Sequence, residues 1–158
     1  MSLEDFAIRL SETSLSIALT DSEWAFPALE SAHVIALTLV FGSIAVVDLR
    51  LLGLAGRDRD ARKLIAAVLP ITWVAFAFAL TTGTLLFIAN PISYVANIFF
   101  LTKLGLLLLA GVNMLVFHWV SQKHLDREGA LAPRLSGAAS LGLWVAIVAA
   151  GRWIGFTL

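Results

Sequence analysis

Four long apolar stretches separated by short polar segments dominate the chain. They cover about residues 24–54, 64–88, 95–120 and 136–156. Each stretch is long enough to cross a bilayer as a helix, which takes about 20 apolar residues. The pattern predicts an all-α integral membrane protein, a transmembrane four-helix bundle that occupies residues 1–158 as a single domain.

The polar segments predict the connections between these spans. Residues 56–63, GRDRDARK, are expected to form a solvated loop, and so is the segment SQKHLDREGALAPR before the fourth span. Asn90-Pro91 is a turn signal, and Pro70 predicts a kink within the second span. The first 23 residues are acidic and interrupted by polar positions. They predict no signal peptide but a short amphipathic N-terminal helix at the membrane interface.

Composition agrees with a membrane protein and excludes several other classes. The chain is 59% hydrophobic and 14% charged, against about 45–50% and about 25% in soluble domains. Eleven basic and eleven acidic residues balance, so the strongly basic face that nucleic acid requires is not expected. The absence of cysteine excludes disulfides and thiolate metal sites. The lipid bilayer is therefore the one partner that composition predicts.

Basic residues near the span ends predict the orientation. The two long connections and the span ends beside them carry most of them: Arg50, Arg57, Arg59, Arg62, Lys63, Lys123, Arg127 and Arg134. The opposite side has only Arg9 outside the spans. The positive-inside rule then predicts a multi-pass protein of the bacterial inner (cytoplasmic) membrane, with both termini periplasmic.

Ionisable residues within the spans are the candidate functional residues, because they are costly in hydrocarbon and usually mark function. Glu30 and His33 in the first span, Lys103 in the third and Arg152 in the fourth lie at similar depth. We expect them to form one site. His118, about 22 Å further along the third span than Lys103, predicts a second site in the other leaflet.

Two histidines inside a helical bundle suggest haem b, because imidazole is a common axial ligand of haem iron. His33 and His118 are the predicted metal ligands, and Gly111, on the same face as His118, leaves room for a macrocycle. Lys103 or Arg152 is expected to pair with the propionates. The predicted function is electron transfer through one or two haems, with a redox partner that the sequence does not identify.

The sixth ligand of each haem stays open, because only two histidines lie within spans. The alternatives are five-coordinate iron, a deprotonated Lys103 opposite His33, or a ligand from another subunit. The glycines of the third and fourth spans favour a homodimer.

The chain also resembles known families. The residues that carry the resemblance are EWAFPALESAHVIALTLVFGSIAVVDLRLLG, PITWVAFAFALTTGTLLF, FFLTKLGLLLLAGVNMLVFHW and LWVAIVAAGRWIGF. They resemble an uncharacterised bacterial family of short four-span membrane proteins. The chain is also similar to small transmembrane di-haem b-type cytochromes, which are four-helix homodimers; this resemblance implies that His33 and His118 match axial ligands. The spacing of Lys103, Asn113 and His118 is remotely similar to the copper-transport membrane family.

Other functions compete with electron transfer. The cluster of Glu30, His33, Lys103 and Arg152 also suits a carrier of a small solute, protons or copper, although copper(I) prefers sulfur ligands. Alternatively, Glu30 forms a buried salt bridge with Arg152 or Lys103 in a purely structural subunit. In that case His33 is a hydrogen-bonded core residue and His118 an interfacial anchor.

The remaining histidine, His124, is expected in a solvated loop. Enzyme motifs are absent, so a non-enzymatic electron carrier is favoured, and a haem-dependent redox enzyme stays an alternative.

Overall fold

The computed structural model describes residues 2–56, 58, 60–120, 123, 125 and 130–157. Within these residues the chain forms helices and no strand. The helices are α1 (Leu3–Ser11), α2 (Ser14–Asp21), α3 (Ala25–Leu52), α4 (Ala61–Ala89), α5 (Pro91–Ala96), α6 (Ile98–Trp119) and α7 (Leu131–Thr157). The four long helices α3, α4, α6 and α7 have the length and apolar composition to cross a membrane. The predicted all-α fold with four spans is confirmed.

Side-chain caps set the helix boundaries and move two of them away from the predicted positions. The Asp60 carboxylate accepts hydrogen bonds from the backbone amides of Arg62 (2.8 Å) and Lys63 (3.3 Å). Helix α4 therefore begins inside the segment predicted as a loop. The Asn97 side chain caps α6 by accepting from the Phe99 amide at 2.9 Å, so the third span begins at residue 98 rather than about 95.

The predicted turn at Asn90-Pro91 begins a separate helix of six residues, α5, with Pro91 in its first turn. Proline suits that position because the first turn needs no backbone donor. The N-terminal segment likewise forms two helices rather than the one predicted. Helix α1 packs against α5, and α2 is held to α4 by the Thr20 hydroxyl, 3.1 Å from the Ala89 carbonyl oxygen.

The four long helices pack in the order α4, α3, α7, α6, and the backbones of the first and last of them do not contact each other. Helix α3 packs against α4 on one side and α7 on the other, and α7 packs against α6. No Cα atom of α4 comes within 8 Å of one in α6, although both helices are described throughout. Helices α4 and α6 thus face each other across a gap.

The gap is closed at only one end of the bundle. We call the end that contains α1, α5 and the last turn of α7 the terminal end, and the end that contains Gly53, Asp60 and Val120 the loop end. At the terminal end, Phe87 of α4 stacks on Phe100 of α6 with ring centroids 5.5 Å apart. Tyr94 of α5 makes edge contacts with both rings, at 6.2 and 5.1 Å. The bundle is therefore tied together at the terminal end.

A buried apolar layer fills the middle of the bundle. It consists of Val40 from α3, Ala75 from α4, and Trp144 and Ile147 from α7. Val40 and Ile147 have no exposed surface. We call these four residues the apolar layer.

Helices α3 and α7 make their closest approach at Gly137. A Cβ atom added to Gly137 would lie 3.3 Å from the backbone oxygen of Asp48 and 3.1 Å from the Cβ of Leu51. Glycine is therefore needed at this contact, as is common where membrane helices approach closely.

We expect Gly137→Leu to lower the free energy of unfolding by about 1–3 kcal/mol, because the added side chain would force α3 and α7 apart. Gly142→Leu is the matched control, since a Cβ at Gly142 of the same helix meets nothing within 4 Å. Thermal unfolding of the detergent-solubilised protein measures both. Equal destabilisation by the two substitutions would contradict the close contact at Gly137.

Candidate functional site

Polar side chains gather in two places within the bundle, one near each end. Near the terminal end, His33 of α3 places its Nδ1 atom 3.0 Å from the Thr82 hydroxyl of α4. The Thr82 oxygen also lies 2.9 Å from the Phe78 carbonyl oxygen and 3.1 Å from that of Ala79, to which it donates its own proton. We therefore assign the proton of the ring to Nδ1, which donates it to the Thr82 hydroxyl oxygen.

Gly83 makes room for the imidazole beside Thr82. A Cβ atom at Gly83 would lie 3.0 Å from Cε1 of His33, so the ring packs directly against the backbone of α4. Any larger residue at position 83 must displace the ring. The histidine is held by a hydrogen bond on one edge and by helix packing.

Lys103 of α6 joins His33 in this cluster. Its alkyl chain crosses Gly151 of α7, where an added Cβ would lie 3.5 Å from Nζ. Its ammonium group is close enough for its charge to act on the His33 imidazole. The structure thus brings together the predicted polar residues of the first and third spans. We call His33, Thr82 and Lys103 the terminal cluster.

The other two residues predicted for this site lie elsewhere. Arg152 is exposed, with its guanidinium carbon 4.7 Å from the ring centroid of Phe156. Glu30 is also exposed and lies near Tyr94. Burial, together with the Glu30 carboxylate, raises the pKa of Tyr94, so that its hydroxyl stays protonated. Because Glu30 and Arg152 are both exposed, they do not form the buried salt bridge considered as an alternative.

A cavity of about 300 Å³ lies in the loop half of the bundle. All four long helices line it, with α4 and α6 on opposite sides of the gap. Its walls are largely apolar and include the aromatic residues Trp73, Phe76, Phe117 and Trp144. The volume is at the lower end of the range of about 300–1,000 Å³ for ligand pockets. We call it the loop cavity.

Asp48 places a carboxyl group in the wall of the loop cavity. The residue is only 4% exposed, and its Oδ2 atom has no hydrogen-bond partner. Ser140 of α7 is the polar neighbour of this carboxyl group, and no charged side chain among the described residues acts on it. A buried carboxyl group with one unpaired oxygen atom is costly and calls for a functional explanation.

Asp48 was not predicted as a site residue, because it lies only four residues before the end of α3. That position is also typical of a carboxylate exposed at the membrane surface. The signal that was available is its place on the helical face of His33 and Val40. Burial by α7 could not be inferred from that face alone.

The predicted residues His118 and Gly111 lie together at the loop cavity. Both line it, and the His118 ring is next to Phe117 with centroids 6.3 Å apart. His118 as a whole is exposed, which places it at the mouth of the cavity. No other histidine lines the cavity among the described residues, and His124 lies outside them.

The remaining polar groups of the loop cavity are paired with one another. Asn113 of α6 and Ser136 of α7 exchange two hydrogen bonds, at 3.1 and 3.2 Å. Ser43 of α3 and Thr72 of α4 share a hydrogen bond of 2.8 Å. Within the described part of the chain, no three His, Cys, Asp or Glu side chains are close enough together to hold a metal ion.

The fold and these two polar sites define a multi-pass α-helical membrane protein with ionisable groups inside the bundle. Residues 22–157 match a family of unknown function (DUF6644), and the chain belongs to that family. No curated protein and no solved structure matches the chain. The predicted family of four-span proteins is thereby supported, whereas the resemblance to b-type cytochromes stays a hypothesis.

We expect Thr82→Val to lower the free energy of unfolding by about 1 kcal/mol, because it removes the hydroxyl that accepts the His33 Nδ1 proton. Thr84→Val is the matched control, because Thr84 lies two residues after Thr82 on the same helix. Thr84 is exposed, and its hydroxyl donates to the Leu80 carbonyl oxygen. Thermal unfolding in detergent compares the two. A larger loss from Thr84→Val would refute the assigned role of Thr82.

Proposed function

We propose that the protein is a membrane carrier that moves a small solute past the apolar layer, between the loop cavity and the terminal end of the bundle. The observation that carries this proposal is the buried Asp48 carboxyl group, whose Oδ2 atom has no hydrogen-bond partner, in a cavity that ends at the apolar layer. Ionisable residues inside a membrane bundle usually mark the pathway of a substrate or ion.

The apolar layer separates the two polar sites. Val40 and Trp144 belong both to this layer and to the wall of the loop cavity, so the cavity stops there. His33 lies seven residues before Val40 on α3, about 10 Å towards the terminal end. A solute in the loop cavity therefore meets a closed barrier, with polar groups again on its far side.

The uneven closure of the bundle supports alternating access. Phe87, Tyr94 and Phe100 hold the terminal half together, while α4 and α6 stand apart in the loop half. Carriers commonly work by rocking one group of helices against another around a central site. In this reading the structure is the state open towards the loop end, and the opposite state closes the α4–α6 gap.

The positive-inside rule gives the orientation of the bundle in the membrane for this proposal. Arg50, Lys63 and Arg134 lie near the loop end of the bundle. We propose that the loop end lies in the cytoplasm of a bacterial cell and that the terminal end lies in the periplasm. The loop cavity would then face the cytoplasmic leaflet.

A homodimer also forms part of this proposal. An added Cβ would meet nothing within 4 Å at Gly105 or Gly155. These glycines thus make no close helix contact within the chain, and small residues on an open helix face favour association between chains.

Cysteine labelling tests the carrier proposal without knowledge of the solute, because the chain has no cysteine of its own. We expect Ser140→Cys in the loop cavity to react with a membrane-impermeant thiosulfonate added on either side of the membrane, faster from the loop side. Rocking of the helices would expose the site alternately to the two sides.

Gly142→Cys is the control, because position 142 is exposed to lipid on the same helix and should react from neither side. Reaction of Ser140→Cys from the loop side alone would refute the carrier.

Haem-dependent electron transfer is the second candidate, favoured by His118 and Gly111 in the wall of one cavity. The residues fit one axial ligand, His118, between apolar aromatic walls. They do not supply a second imidazole, because His33 is on the other side of the apolar layer with its Nδ1 bonded to Thr82. Haem bound there would provide the redox centre, and this chain would bind and orient it through His118.

An absorption spectrum of protein purified with haem present tests this candidate. We expect a Soret band that His118→Ala removes and His124→Ala leaves unchanged. Protein without any Soret band would leave the carrier as the sole proposal.

A further inference from the structure

We infer that the loop cavity binds a hydrophobic organic cation, which reaches it sideways from the bilayer through the gap between α4 and α6. This inference specifies the substrate class of the proposed carrier and rests on the same cavity.

The Asp48 carboxyl group favours a ligand with positive charge, because a bound cation would offset the cost of ionising a buried carboxyl group. It is 96% buried, its Oδ2 atom has no hydrogen-bond partner, and no described charged side chain acts on it. Arg134, a basic residue of the loop end, has its guanidinium 3.4 Å from the Leu52 carbonyl oxygen. Since buried charges are generally paired, a cationic ligand would provide the partner that the protein does not.

The walls of the cavity favour an organic cation over a metal ion. Trp73, Phe76, Phe117 and Trp144 offer aromatic faces, which attract organic cations and bury apolar groups. A hard metal ion instead needs about six oxygen ligands. Thr72, Asn113 and Ser136 of this cavity already form hydrogen bonds within the protein, and Asp48 is the one carboxyl group in its described lining.

The cavity also opens sideways, through the gap between α4 and α6, towards the hydrocarbon of the bilayer. Helices α4 and α6 have no backbone contact, and Trp73 on one side of the gap and Met114 on the other are both exposed. Trp73 lies 12 residues into α4, about 18 Å from its beginning at the loop end. A ligand using this route must dissolve in the membrane, which requires a largely apolar cation.

Two ions of equal size and opposite charge test the inference on the purified wild-type protein in lipid nanodiscs. The probes are tetraphenylphosphonium and tetraphenylborate, and binding is measured by equilibrium dialysis after subtraction of the uptake by protein-free nanodiscs. We expect tetraphenylphosphonium to bind at least tenfold more tightly. Equal or tighter binding of tetraphenylborate would overturn the inference.

Variants assign the selectivity to one residue. Asp48→Asn should weaken tetraphenylphosphonium binding at least tenfold, whereas Asp48→Glu should keep the preference for the cation. Glu23→Gln removes an exposed carboxylate outside the cavity and should change nothing. Unchanged affinity in Asp48→Asn would overturn the role of Asp48, and the wild-type comparison stands even if that variant fails to fold.

The outcomes for ligand class and for carrier function are separable. Selective binding of the cation, with Ser140→Cys labelled from one side only, would make the protein a cation-binding protein without transport. Labelling from both sides without selective binding would keep the carrier and overturn the cation as its substrate.

Discussion

Polar groups inside a bilayer must find their partners within the protein, because the hydrocarbon offers none. The backbone meets this constraint by forming four long helices. Most side chains meet it locally: Thr82 accepts from His33, and Asn113 pairs with Ser136. The Asp48 carboxyl group is the exception, since its Oδ2 atom is buried without a partner. The proposed transport and the proposed cation binding both follow from the free-energy cost of this unpaired oxygen, because a bound solute would reduce that cost.

The shape of the bundle results from an uneven distribution of large and small residues. Phe87, Tyr94 and Phe100 interlock at the terminal end and hold α4 near α6 through their rings. At the loop end, Gly137 lets α7 approach α3 closely, which draws the helices together on the side away from the gap. One side of the bundle is thereby tight and the other open, and the loop cavity is the space that remains.

Sequence patterns correctly predicted that His33 and Lys103 come together, but not that Arg152 lies apart from them. His33 and Lys103 come together because both face the interior at equal depth, which helical phase and distance along the span can predict. Arg152 has the same depth, yet its side chain turns outward onto Phe156, and depth alone does not determine direction around the helix axis. The break at Asn90-Pro91 was predicted from its residues. The short helix α5 was not, because it is stabilised by packing against α1 and α6.

The sequence by itself determined the four spans, their order and the polar segments between them, because hydrophobic length and local caps act within a few turns of one helix. Only the tertiary structure decided which helices touch. It placed α3 between α4 and α7, separated α4 from α6, and buried Asp48 beside Ser140. Helix packing depends on contacts between side chains that are far apart in the chain. Hydrophobic periodicity shows which face of a helix is apolar, but not which helix that face contacts.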